Sequence, residues 1–176
     1  PVSILAGVHA QDWLFAHLSD PHVSIPAAPR GRERWGKRAL GYRSWQRRRR
    51  HVHRREVLDA LAADLRMHAP QAVLITGDFT QTAQADEFAQ ARAWLATLGP
   101  APVLGVPGNH DAYVPGAWPH GDLAPWVPAG TPWVRRIGPA QVFGVSSAIP
   151  TGPLSARGAV DAAQCRALAA GLREAA

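Results

Sequence analysis

The sequence predicts an α/β fold with a βαβαβ core, its strands ending in metal-ligand residue types. Three observations predict it. Three short apolar runs, at residues 13–18, 72–76 and 102–106, alternate with helical patterns. Each run is followed at once by Asp20-Pro21-His22, Gly77-Asp78 or Gly108-Asn109-His110-Asp111. Strand–helix alternation implies parallel strands joined by right-handed crossovers, and ligands of such sheets bind at the carboxyl ends of the strands. The three loops are therefore expected to converge.

Taken in order, residues 13–18 form the first strand. Residues 23–43, rich in Pro, Gly and Arg, form a long excursion, a length that is often functional. Ser44 is placed to cap a helix running to about Met67, with Val57, Leu58, Leu61 and Leu65 at helical spacing and Pro70 as its stop. Residues 72–76 are the second strand. Residues 85–98 form an amphipathic helix with Phe88, Ala91, Leu95 and Leu98 as its stripe, stopped by Gly99-Pro100. After the third strand, residues 112–132 are loop. Residues 132–137 and 141–146 read as two further strands joined at Gly138-Pro139. A final Ala-rich helix from Asp161 to about Arg173 turns Leu168 and Leu172 inward. It carries Cys165 as a small buried or half-buried core residue.

The 176 residues, 47% hydrophobic, are enough for one domain with a real core. No apolar run approaches the roughly 18 residues of a membrane span, and residues 1–10 lack the basic start of a signal peptide. A cytoplasmic location is expected. The single cysteine excludes an internal disulfide. The net charge of +6 is uneven: residues 30–55 hold twelve of the nineteen Lys and Arg against one acid, Glu33. That segment carries +11 and the remainder −5, so the basicity is local.

The loop residues suit metal chemistry. In extended backbone Asp20 and His22 point the same way and can reach one ion. Gly77 lets the backbone approach closely, and the two oxygens of Asp78 can bridge two cations. Asn109 offers a neutral oxygen. His110 can coordinate or transfer a proton, and Asp111 can orient or charge-stabilise that imidazole. A mixed nitrogen and oxygen set favours Mn, Fe or Zn over Ca. Two ions about 4 Å apart would stabilise the attacking and leaving oxygens in displacement at phosphorus.

These three motifs, in this order and each after a strand, resemble the first three motifs of the calcineurin-like metallophosphoesterases. The spacing, 58 residues from Asp20 to Asp78 and 31 more to Asn109, is similar to that family. The segments from Ala16 to His22 and from Val106 to Asp111 resemble bacterial members of the phosphodiesterase type. The resemblance covers residues 13–115 well. It implies that Asp20 and His22 bind a first divalent metal, Asp78 bridges, Asn109 binds a second metal and His110 is catalytic. It implies hydrolysis of phosphate esters, most readily phosphodiesters, by a hydroxide activated between two metal ions.

The family also uses a later lone histidine and a final Gly-His-x-His, whereas the last histidine here is His120. The chain therefore reads as the N-terminal part, residues 1–176, of a single metallophosphoesterase domain. That would be an incomplete αββα sandwich, truncated at its C-terminal side, with an Arg-rich excursion at about residues 23–55. Four or five ligands leave both metal shells short, so weak metal binding and little turnover are expected of these residues alone. Other histidines fill the gap poorly. His51 and His53, two apart on the expected helix, face different sides. His9, His17 and His68 lie off the carboxyl edge, with His17 a packed strand residue, and His120 is on a loop.

Competing readings are specific. One Asp or Asn after a strand is ordinary turn chemistry; three sets in order are not. The Arg-rich segment is a solvated helix face, a field that draws in an anionic phosphate ester, or a nucleic-acid contact. Trp35 and Trp45 would anchor the excursion, and Trp133 is expected in the core. The second function class is a non-catalytic module that binds polyanions or nucleic acid through the Arg-rich segment.

Overall fold

The computed structural model describes residues 13–119 and 121–175; His9 and His120 lie outside them. Strands β1 (Phe15–Leu18), β2 (Ala72–Thr76) and β3 (Val103–Val106) form a parallel sheet in the order β1-β2-β3. The register sets Leu18 opposite Ile75, and Ile75 opposite Gly105. The three strands thus end level, and the three motif loops leave one edge of the sheet. This is the βαβαβ core that the alternation predicts.

Burial alternates along the strands, as a period of two requires. Ala16, Leu18, Val73, Ile75 and Val103 are buried on one face. Helices α2 (Arg55–His68) and α3 (Ala85–Leu95) complete that core with Leu58, Ala62 and Leu65, and with Phe88, Ala91, Trp94 and Leu95. Phe88 and Trp94 are fully buried, so truncating either to Ala costs about 3–5 kcal/mol. Helix α2 stops where Ala69 turns left-handed ahead of Pro70. Helix α3 starts with the Gln84 N–H donating to Glu87 Oε2 at 3.0 Å. Glu87, wholly buried, also accepts from the Gln81 and Thr82 N–H groups and the Ser24 and Thr82 hydroxyls. It ties the loop after β2 to the loop after β1.

The excursion is partly helical. A 3-10 turn at Gly31–Trp35 leads into α1 (Lys37–Arg47), and a second 3-10 turn spans Arg49–His51. The single helix expected from Ser44 to Met67 is therefore broken at residues 48–54. Arg48 leaves helical geometry at φ −133°, and Arg54 caps α2 with no side-chain bond. Four consecutive arginines offer no apolar face to bury, so nothing in the packing sustains a helix through them. Helix α1 docks through Arg38, which donates to the Thr82 and Ala83 carbonyls and pairs with Glu33. Gly41 lies against Tyr113, whose hydroxyl would be 2.5 Å from any Cβ there. Trp35 is 93% exposed and anchors nothing, contrary to expectation, whereas Trp45 stacks on Tyr42.

Beyond the third motif, β4 (Trp133–Ile137) and β5 (Ala140–Gly144) pair antiparallel as a separate hairpin, with Trp133 buried as expected. Helix α4 (Ala162–Ala175) buries only Gln164 among its described side chains, through bonds to the Ser146 backbone. Cys165 and Leu172 are exposed rather than inward, and so is Val57 on α2. His17 is exposed too; it bonds Thr76 Oγ1 at 3.0 Å. No helix among the described residues is long and apolar enough to cross a membrane.

Candidate metal centre

The loop after β1 turns sharply. Asp20 and His22 both sit at positive φ, 52° and 42°, as does Asp78 at 56° after β2. Non-glycine residues adopt this region at a cost of about 1–3 kcal/mol, and such strain gathers at functional sites. Backbone bonds hold the loops together: His22 N–H to Asp78 O at 2.8 Å and Val23 N–H to Phe79 O at 2.9 Å. Gly77 (φ 82°) faces Gly108 so closely that a Cβ would overlap the Gly108 backbone.

His22, Asp78 and His110 come together, with one ligand atom from each lying within 4.8 Å of the others, and all three are buried. His22 Nδ1 lies 2.9 Å from the Thr80 carbonyl. A carbonyl only accepts, so Nδ1 carries the proton and Nε2 keeps its lone pair. That Nε2 stands 3.8 Å from Asp78 Oδ2, too far for a hydrogen bond and near the separation of two donors sharing an ion. An imidazole oriented through its other nitrogen is the usual state of a metal-binding histidine. Asp78 Oδ1 accepts the His110 N–H at 2.8 Å. Asp20, exposed and bonded by the Ser19 hydroxyl, lines one cleft of about 310 Å³ with Asp78 and Asn109.

The electrostatics ask for a cation. Burial pushes the Asp78 carboxyl up to about 7, with Asp111 and Asp20 adding and the His110 N–H opposing. Burial, with His110 and His53 nearby, pushes His22 down to about 3. His110 falls to about 4, again first from burial, with Arg49 and Lys37 adding against the pull of the Gln81 carbonyl. A neutral imidazole and a carboxylate that resists ionisation are what an ion would stabilise.

His110 is oriented by Gln81, whose carbonyl lies 2.6 Å from Nδ1, and by Arg49, whose Nη1 lies 3.0 Å from Nε2. Tyr113 stacks on the ring at 5.3 Å. The bond expected from Asp111 to this imidazole is not formed. Asp111 is wholly buried, and its carboxylate accepts from the Phe79, Thr80 and Gly108 N–H groups and the Thr80 hydroxyl. It clamps the second motif loop to the third. Burial raises its carboxyl to about 6 against the pull of those donors.

Two further residues reach the cluster: His53, which the expected helical spacing sets aside, and Arg49, which the sequence does not single out. His53 lies against His22, ring centroids 4.3 Å apart, and its Nδ1 is 3.1 Å from Gln81 Nε2. Arg49 reaches His110. Both follow from the break after α1, which folds residues 49–53 back over the motif edge. The His51-x-His53 spacing was the available signal: His51 is exposed, while His53 turns inward. His68 pairs with Asp64 on α2 at 3.4 Å.

A family model for the calcineurin-like phosphoesterases matches residues 14–158. The chain belongs to this family. The match takes in all three motif loops, the Arg-rich excursion and the β4–β5 hairpin of this calcineurin-like phosphoesterase. Members of the family are in general phosphoesterases that use divalent metals, and the buried His22, Asp78 and His110 cluster is a possible site for one. A search of curated proteins finds no match.

Proposed function

We propose that this calcineurin-like phosphoesterase hydrolyses phosphodiesters at the cleft between Asp20, Asp78 and Asn109, with two divalent ions. The observation that carries the reading is the lone pair of His22 Nε2, held 3.8 Å from Asp78 Oδ2 in a buried pocket. The donor set fits: Asp20 and His22 would hold one ion, Asp78 would bridge, and Asn109 would serve the second. Mn, Fe or Zn suits these nitrogen and oxygen donors. When bound, the ions supply Lewis-acid polarisation of the phosphoryl group and a nucleophile at neutral pH.

The chain's own residues do the rest. His110, which lines the neighbouring cavity, takes a proton from the attacking water at Nε2 and passes it to the departing oxygen, while the Gln81 carbonyl holds the Nδ1 proton. Asp111 positions His110 through the loop rather than through the ring. Arg49 holds the same imidazole from the other side, its Nη1 3.0 Å from Nε2.

The test is hydrolysis of bis(4-nitrophenyl) phosphate with Mn²⁺. The ratio of the parent rate to the variant rates carries the result. Asp78→Asn and His110→Ala are each expected to lower the metal-dependent rate at least about 100-fold. Absence of any metal-dependent hydrolysis would overturn the reading. The second reading, a polyanion-binding module, is favoured by the exposed Arg43, Arg47, Arg48 and Arg50. It predicts salt-sensitive nucleic-acid binding that Asp78→Asn leaves intact.

A further inference from the structure

Two cavities meet at Asn109 and Ala156, and their charges are opposite. The first, of about 310 Å³, holds Asp20 and Asp78 and no basic side chain. The second, of about 220 Å³, is framed by Lys37, Arg49, Ser44, Tyr113 and His110 and holds no acid. The first attracts a cation. The second attracts an anion, and it lies on the far side of His110.

The two cations of the second cavity are uncompensated. Among the described residues, neither Lys37 nor Arg49 pairs with a carboxylate. Lys37 Nζ sits 4.2 Å over the Tyr113 ring and donates to Thr151 Oγ1 at 3.0 Å. Arg49 spends one nitrogen, Nη1, on the His110 ring, and among the described residues its Nε and Nη2 make no hydrogen bond. The six arginines nearest to Arg49 in sequence, Arg43, Arg47, Arg48, Arg50, Arg54 and Arg55, are all exposed; Arg49 and Lys37 are the half-buried ones turned to the cavity. An Arg fork with free donors beside a Lys is the usual recognition chemistry for a phosphate.

We propose that Lys37 and Arg49 form an anion subsite for a second, non-reacting phosphate on the leaving-group side of the substrate. This rests on the phosphoesterase reading: if His110 protonates the departing oxygen, the leaving group exits into the cavity that His110 walls. The substrate class is then a phosphate ester whose leaving group carries its own phosphate. Binding draws the Arg49 fork from His110 to that phosphate and frees Nε2 to face the departing oxygen. The Arg-rich excursion is thereby a specificity element of the site, and only its outward arginines are left as a solvated face.

The test is calorimetric binding of inorganic pyrophosphate to the metal-free 176-residue chain. Lys37→Met and Arg49→Met should each weaken it about tenfold or more, the worth of one charge-assisted hydrogen bond. Arg49→Lys should restore part of the loss, and Arg43→Met, which removes an exposed charge from helix α1, should change nothing. Equal affinity in all variants overturns the subsite, as does a loss in Arg43→Met matching that in Arg49→Met, which would mean diffuse charge alone. Because no metal is present, the result is separate from the hydrolysis assay. Pyrophosphate binding that depends on Arg49, in a chain with no metal-dependent hydrolysis, would support the subsite and remove the reading it deepens.

Discussion

Arg49 Nη1 lies 3.0 Å from His110 Nε2, so a cation from the Arg-rich excursion sits against the imidazole of the third motif. The contact joins the most charged stretch of the chain to a buried polar cluster. A neighbouring cation disfavours the protonated ring, in the same direction as burial. His110 should therefore titrate near 4, and Arg49→Gln should move it upward, read by NMR of the ring protons. An unmoved titration would mean the two groups do not meet in solution.

Asp111 should behave as a structural clamp. Replacing it with Ala strands the Phe79, Thr80 and Gly108 donors in a buried loop. A loss of about 3–5 kcal/mol in urea unfolding is expected. Asp111→Asn keeps one accepting oxygen and should lose less. If Asp111→Ala were as stable as the parent yet inactive, the residue would return to a direct catalytic role.

Gly77 tests how tightly the second and third motifs must approach. Its φ of 82° and its overlap with the Gly108 backbone leave no room for a methyl group. Gly77→Ala should cost about 2 kcal/mol or more and weaken metal binding together with stability. Gly116 also has positive φ, at 77°, but faces open space. Gly116→Ala should cost only its backbone strain and spare the metal site.

Metal binding and protons should be linked through Asp78. Its carboxyl is raised from the usual 3.8 to about 7 in the folded chain. Between those values the folded state holds a proton that the unfolded state has lost. The metal-free chain therefore loses stability as pH rises through this window and gains it as pH falls. An ion must displace that proton, so affinity should fall about tenfold per pH unit below about 7. His22 and His110 are already neutral there and do not compete. Calorimetry in buffers of different ionisation heat should show about one proton released at pH 6 and fewer at pH 8. Asp78→Asn should remove the linkage.

The sheet was legible because its signal is local. The runs ending at Leu18, Thr76 and Val106 carry their own periodicity, and their order fixed the edge where the motifs meet. Asp20, His22, Asp78, Asn109 and His110 stand out as candidates because each lies in a loop that follows a strand. The inward turn of Arg49 and His53 was not legible. It depends on a helix break that no Gly, Pro or capping side chain marks, and on non-local contacts with Gln81, His22 and His110. The bonding of Asp111 is non-local too: adjacency to His110 in sequence suggests a partner, whereas its carboxylate turns to backbone 31 and 32 residues away. Helix α4 misled in the opposite sense, since its Ala/Leu pattern reads as amphipathic while Leu172 faces solvent.

The most direct measurement is anomalous diffraction from crystals of the chain soaked in Mn²⁺. A manganese peak is expected between His22 Nε2 and Asp78 Oδ2, with a second, weaker peak toward Asn109, both lost in Asp78→Asn. Manganese found only elsewhere, or a peak that persists unchanged in Asp78→Asn, would contradict the proposed metal centre.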